Sequence, residues 1–189
     1  SLIVRTATRQ TQKSITKAQP LIVDNVWERM KRMYISQYQR SDSNPQKILD
    51  RLYLGSVGAA YTLATLKRLK ITHILTLCDC LPPKFPGEFE YKVVNVIDDP
   101  KENLSSHFKE CFEFIKEAIA SGGTVLVHCF AGVSRSSTVV IGYLMTHSKM
   151  SMKDAMAFVK SKRPWIQPNY GFLQQLRKYE VQLKNNLNN

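Results

Sequence analysis

The sequence predicts an α/β domain in which a central, mixed and mostly parallel sheet is flanked by helices, with a basic helical extension ahead of it. Three observations predict it. Short β-rich apolar runs at 48–49, 52–54, 71–77, 91–97 and 125–127 alternate with longer stretches whose apolar residues recur at helical spacing. Breakers separate the runs, among them Gly122-Gly123 and the three prolines between Leu81 and Phe89. Finally, Val125-Leu126-Val127 passes through a tight loop into the apolar run Thr138–Met145, a strand–loop–helix of the kind that places ligands at the carboxyl end of a central strand.

The elements follow in order. Residues 1–45 form the basic extension. Arg5, Arg9, Lys13 and Lys17 stand four apart, which aligns them on one helix face. The many Thr, Ser and Gln residues fit an extended arm equally well. Asp24-Asn25 suits a helix cap, and Val23, Val26, Trp27, Met30, Met33 and Tyr34 then share one stripe, with Arg29, Lys31 and Arg32 among them. This amphipathic helix, near 23–38, either packs on the domain that follows or docks a partner as a basic helix of calmodulin-target type. Ser41–Pro45 reads as a turn.

The main domain is expected over 46–184. Strands at Ile48-Leu49 and Leu52–Leu54 flank an Asp50-Arg51 turn. A helix from Ser56 or Gly58 to about Lys70 precedes the strand 71–77, and 81–89 is loop. The strand 91–97 ends at Asp98-Asp99-Pro100. Asn103 or Ser105 starts a helix with Leu104, Phe108, Cys111, Phe112, Ile115 and Ile119 on its buried stripe. Ser151 caps another helix, 162–168 is loop, and a last helix runs from Asn169 to about Lys184. Residues 185–189 are expected to fray.

Between strand and helix, the loop 128–135 has the chemistry of an anion trap. A helix N-terminus leaves backbone N–H groups unpaired and partially positive, which suits phosphate. Gly132 admits backbone angles closed to other residues. Arg135 offers a planar fork of donors for two oxygens at once. Cys129, six residues earlier, sits at the base of the cradle, where the same groups favour its thiolate. A thiolate beneath a phosphoryl group is a nucleophile placed for in-line attack. The amides of Phe130, Ala131, Gly132, Val133, Ser134 and Arg135 would receive the phosphoryl oxygens.

These residues read His-Cys-x-x-Gly-x-x-Arg-Ser over His128–Ser136. In this, and in its Tyr53-Leu54-Gly55 run, the chain resembles a dual-specificity phosphatase, a cysteine-dependent protein tyrosine phosphatase. The resemblance spans roughly 46–180. It implies a phosphatase-type fold and hydrolysis of phosphotyrosine and phosphoserine/phosphothreonine through a phosphocysteine, without cofactor or metal. It makes Asp98 the general acid, five residues before Asn103-Leu104-Ser105 and 31 before Cys129, with Asp99 as the alternative. It gives Ser136 the hydroxyl that donates to the sulfur. His128 orders the loop and tunes the thiol. Asn169 either buttresses the loop or simply caps the last helix. Some relatives carry a cysteine at the end of the strand corresponding to 71–77, which makes Cys78 an oxidation partner for Cys129. Gly142 departs from the family, which commonly has Ala there.

Composition bounds the rest. No apolar run reaches the length of a membrane span. The four cysteines are too few and irregular for a disulfide scaffold, and Cys78-Asp79-Cys80 with His73 lacks the spacing of common zinc pairs. The formal net charge of +12 suits phosphorylated, acidic substrates, and no nucleic-acid module accompanies it. A nucleophilic thiol and the absence of a secretory pattern point to cytoplasm or nucleus. The loop has no further base between Cys129 and Arg135, which favours a phosphoprotein over an inositol lipid. Lys17–Val23 is similar to a kinase-docking peptide, so a protein kinase of MAP-kinase type is a candidate substrate.

Overall fold

Val125, Leu126 and Val127 decide the two faces of the sheet. Val125 and Val127 pack with Leu52, Leu54 and Leu75 into the larger core, while Leu126 turns with Ile74 to the opposite face. The structure is a computed structural model that describes residues 20–187. Five strands lie in the order β1-β2-β5-β3-β4: β1 is Gln46–Leu49, β2 Leu52–Gly55, β3 His73–Leu77, β4 Glu90–Val94 and β5 Val125–His128. The β1–β2 hairpin is antiparallel and every other pairing is parallel, so the sheet is mixed and mostly parallel as expected. Arg51 takes φ 61° in the hairpin turn.

Gly55 and Thr76 both pair with His128, so three parallel strands end level with one another. The loop after β5 therefore opens at a shared carboxyl edge. Four helices cover one face: α4 (Phe108–Ala120), α5 (Arg135–His147), α6 (Met152–Lys162) and α7 (Tyr170–Leu187). Two short ones, α2 (Val57–Ala60) and α3 (Leu63–Arg68), lie on the other.

The N-terminal helix α1 is Pro20–Ser41, longer than the predicted 23–38. The described residues fall into two units, 20–34 and 35–187. Arg5, Arg9, Lys13 and the start of the docking-like segment at Lys17 lie outside the described residues.

Several boundaries differ from expectation for local reasons. The helix expected over 56–70 is split. Ser56 caps α2, its Oγ accepting from Gly58 N at 3.2 Å. The Thr62 hydroxyl donates to Gly58 O at 2.7 Å, and its carbonyl starts α3. Ile71 and Thr72 stay out of β3 because the N–H groups of Thr72 and His73 both go to Thr124 O. The strand expected over 91–97 stops at Val94; beyond it, Val96 gives its carbonyl to Arg135 at 3.1 Å. A 3-10 turn, Leu104–His107, precedes α4 and is capped by Asn103. Helix α5 starts at Arg135, ahead of Thr138. Helix α7 continues to Leu187, so 185–187 are helical where fraying was expected; 188–189 lie outside the described residues.

Candidate active site

Each peptide plane points its C=O and the next N–H in opposite directions. That rule shows how the loop after β5 works. Its successive carbonyls are held from outside: Phe130 O by Val57 N at 2.9 Å, Ala131 O by Arg163 Nη2 at 3.1 Å, Gly132 O by Arg163 Nε at 2.8 Å and Val133 O by Gln167 N at 2.8 Å. The following amides are thereby turned inward. Gly132 N confirms it, donating to Cys129 Sγ at 3.2 Å. Gly132 has φ +66°, and a Cβ there would collide with the Gly55 carbonyl.

Cys129 is buried at the base of this ring of amides. A second donor, the Ser136 hydroxyl, reaches its sulfur at 3.2 Å. Behind it, His128 is buried between Thr76 Oγ1, 2.8 Å from Nε2, and Cys129 O, 3.1 Å from Nδ1. Burial pushes its pKa down to about 4, with Arg135 adding in the same sense and the Cys129 carbonyl opposing. The ring is therefore neutral near pH 7, donating from Nδ1 to Cys129 O and accepting from the Thr76 hydroxyl.

Arg135 opens α5 with its guanidinium largely buried. Nη1 donates to Val96 O at 3.1 Å and to Cys78 Sγ at 3.4 Å. Nε is buried and has no hydrogen-bond partner among the described residues. A buried unpaired donor is costly, so an oxygen arriving with a ligand would satisfy it. Burial works against the charge, yet Cys129, Cys78 and Asp98 outweigh it and the pKa of Arg135 is raised.

Asp98 reaches the same loop from the chain after β4. Its Oδ1 accepts from Ser134 Oγ at 2.7 Å and from Asn169 Nδ2 at 2.9 Å, while Oδ2 lies 3.9 Å from Arg135 Nε. Asp99 points elsewhere and closes a turn by accepting from Lys101 N at 2.7 Å. Asn169 makes a second contact with its side chain, its Oδ1 accepting from Phe172 N at 3.0 Å at the start of α7. Ser134 is more than a backbone donor: its hydroxyl also accepts from Asn169 N at 3.1 Å, linking loop, acid and helix. Cys78 is buried, with its thiol pushed up to about 12 mainly by burial, and its sulfur lies 3.2 Å from that of Cys80. His73 is a paired structural group, 3.1 Å from Glu90.

Over residues 52–182 the chain matches the catalytic domain of dual specificity phosphatases. The chain belongs to that family. It is 47% identical over 150 residues to Dual specificity protein phosphatase 1 of Arabidopsis thaliana, covering 79% of this chain and 76% of that protein. It is 46% identical over 135 residues to Dual specificity protein phosphatase 19 of Mus musculus, covering 71% of this chain and 61% of that one. Among solved structures, the human tyrosine phosphatase-like serine/threonine/tyrosine-interacting protein superposes with a TM-score of 0.69 at 39% identity, covering 73% of this chain and 96% of that chain. This dual-specificity phosphatase is thus an enzyme of the protein phosphatase class, with the fold its sequence predicts.

Two parts of its site escaped sequence reading. Arg163, fully buried, holds two loop carbonyls and forms an ion pair with Asp42 at 2.6 Å, with Gln46 also accepting from it. Gln175 of α7 clamps the acid-bearing segment: its Oε1 accepts from Ser105 N and its Nε2 donates to Glu102 O, both at 2.8 Å. The doubled glutamine carries no signal of its role, and the sequence assigns the buttress of the loop to Asn169 rather than to Arg163.

Proposed function

We propose that this dual-specificity phosphatase hydrolyses phosphotyrosine and phosphoserine/phosphothreonine in proteins through a phosphocysteine on Cys129. Cys129 Sγ attacks phosphorus, the S–P bond forms and the bond to the substrate oxygen breaks. Asp98 gives its proton to that oxygen. The inward amides of the 130–135 loop and Arg135 Nε hold the equatorial oxygens as charge redistributes. Water then attacks the phosphocysteine, with Asp98 now taking the proton. The thiolate leaves toward the Ser136 hydroxyl and Gly132 N.

The observation that carries this reading is Arg135 Nε, without a hydrogen-bond partner among the described residues, beside a loop whose carbonyls from Phe130 to Val133 are held from outside. The test is hydrolysis of an aryl phosphate with chelator present, comparing the chain with Cys129→Ser. Metal-independent turnover abolished by the substitution supports it; undiminished turnover in Cys129→Ser refutes the nucleophile. A panel of phosphopeptides and inositol phospholipids assigns the substrate class, with phosphopeptides expected to be preferred.

The physiological substrate proposed is a MAP kinase-like protein in the cytoplasm or nucleus, on the strength of the docking-like Lys17–Val23. A second role rests on α1, where Trp27, Met30, Met33 and Tyr34 share a helical stripe interleaved with Arg29, Lys31 and Arg32. We infer that this stripe docks an acidic partner of calmodulin type. Titration with calcium-loaded calmodulin should give saturable binding that Trp27→Ala weakens; no binding discards the role.

A further inference from the structure

At the end of β3, Cys78 and Cys80 place their sulfur atoms 3.2 Å apart. A disulfide bond is about 2.05 Å long, so closing this gap needs a shift of about 1 Å. Both residues are free thiols. They differ in access: Cys78 is buried and Cys80 is partly exposed. The pair therefore has an entry sulfur for a small oxidant and a covered sulfur to resolve the product.

The same residues, with Asp79, bring three donor atoms within 4.8 Å of one another. Charge argues against a metal cation there. The Arg135 guanidinium lies 3.4 Å from Cys78 Sγ and 4.0 Å from Asp79 Oδ1, a fixed positive charge against the would-be site. Cys129, the other thiol near Arg135, already has two donors on its sulfur, Gly132 N and Ser136 Oγ.

We propose that Cys78 and Cys80 form a redox modification site, closed by peroxide into a disulfide that loosens Arg135; its effect on phosphate rests on the phosphatase reading above. Peroxide oxidises the Cys80 thiol to a sulfenic acid and is reduced to water. The Cys78 sulfur then attacks the Cys80 sulfur, the S–S bond forms, the S–OH bond breaks, and the hydroxide leaves as water with the Cys78 proton. Two thiol hydrogens and one peroxide give one disulfide and two waters. The sulfur accepting from Arg135 Nη1 is thereby drawn toward Cys80, leaving Val96 O as the remaining anchor of that nitrogen. Losing one hydrogen bond's worth of orientation should weaken phosphate binding by roughly 2–10-fold.

The full chain is treated with a small excess of hydrogen peroxide, blocked with N-ethylmaleimide, digested and mapped by mass spectrometry. The peptide holding Cys78 and Cys80 should be lighter by two hydrogens. A crosslink of Cys78 to Cys129, or Cys80 ending as sulfinic acid with Cys78 still alkylatable, overturns the assignment. Calorimetry with inorganic phosphate on Cys129→Ser, reduced and peroxide-treated, reads the coupling. The oxidised form should bind more weakly, and Cys80→Ser on the same background should be indifferent to peroxide. Equal affinity in both states overturns the coupling to Arg135. Absence of phosphate binding even in the reduced state strikes the phosphatase reading, and the coupling with it, while a mapped disulfide stands independently.

Discussion

Arg163 Nε donates to the carbonyl oxygen of Gly132 at 2.8 Å, across 31 residues of sequence. The same guanidinium is fully buried and paired with Asp42. It therefore couples the shape of the phosphate loop to the start of the domain. Arg163→Ala would strand the largely buried Asp42 carboxylate and release two loop carbonyls. The expected cost is about 3–5 kcal/mol in denaturant unfolding and about 10²-fold in turnover of an aryl phosphate. Arg163→Lys keeps a charge for Asp42 but lacks the fork that reaches Ala131 O and Gly132 O together. It should recover more stability than turnover; equal recovery of both would mean that the loop does not depend on this contact.

Asp98 and Asp99 are neighbours with different surroundings. Asp98→Asn should lower turnover by about 10²–10⁴, with the deficit growing as the leaving group becomes more basic. Asp99→Asn should leave that dependence unchanged, since its carboxylate serves the turn to Lys101. The measurement is kcat for a series of aryl phosphates, and a steeper dependence in Asp99→Asn would exchange the two roles.

Gln175 offers a finer test of how the acid is positioned. Gln175→Ala removes both bonds to the 102–105 backbone while touching neither Cys129 nor Arg135. It should slow hydrolysis of poor leaving groups by about tenfold, the equivalent of about 1.4 kcal/mol. The pre-steady-state burst with an activated aryl ester should be preserved. Equal losses with both substrates would mean a general loss of folded protein, which a thermal melt would reveal.

His128 makes stability depend on pH. Its folded pKa of about 4 lies below the ordinary histidine value of about 6.5. Between these values the unfolded chain binds a proton that the folded one refuses, so stability rises with pH across the window. It is fully present above about pH 6.5 and is lost as pH falls toward 4, by about 3 kcal/mol in all. His147, lowered mainly by burial and then by Lys116 and Lys149, acts in the same direction. The difference between the wild type and His128→Gln in pH-dependent melts isolates His128. A difference that stays flat from pH 7 to 4 would rule out a buried neutral ring.

Much of the site was legible because its signals are local. Cys129, Gly132 and Arg135 lie within one short segment, and the apolar run Val125–Val127 after Gly122-Gly123 announces the strand that carries it. What was illegible depends on contacts made far along the chain. Arg163 lies in the segment 162–168 that reads only as loop, and only folding brings Asp42 to it from 121 residues away. The split of α2 from α3 turns on one Thr62 hydroxyl, a competition that helical periodicity does not register. In sequence Gly142 is only a departure from the family; in the fold, a Cβ there would lie 2.8 Å from the Phe112 ring, so the neighbouring aromatic explains the glycine.

The most direct measurement is a rapid acid quench during turnover of a radiolabelled phosphopeptide, followed by digestion and sequencing of the labelled fragment. Label on the fragment containing Cys129, increased by Ser136→Ala and absent from Cys129→Ser, is the predicted result. Normal turnover with label on no fragment, or on one lacking Cys129, would contradict the assignment of that sulfur as the nucleophile.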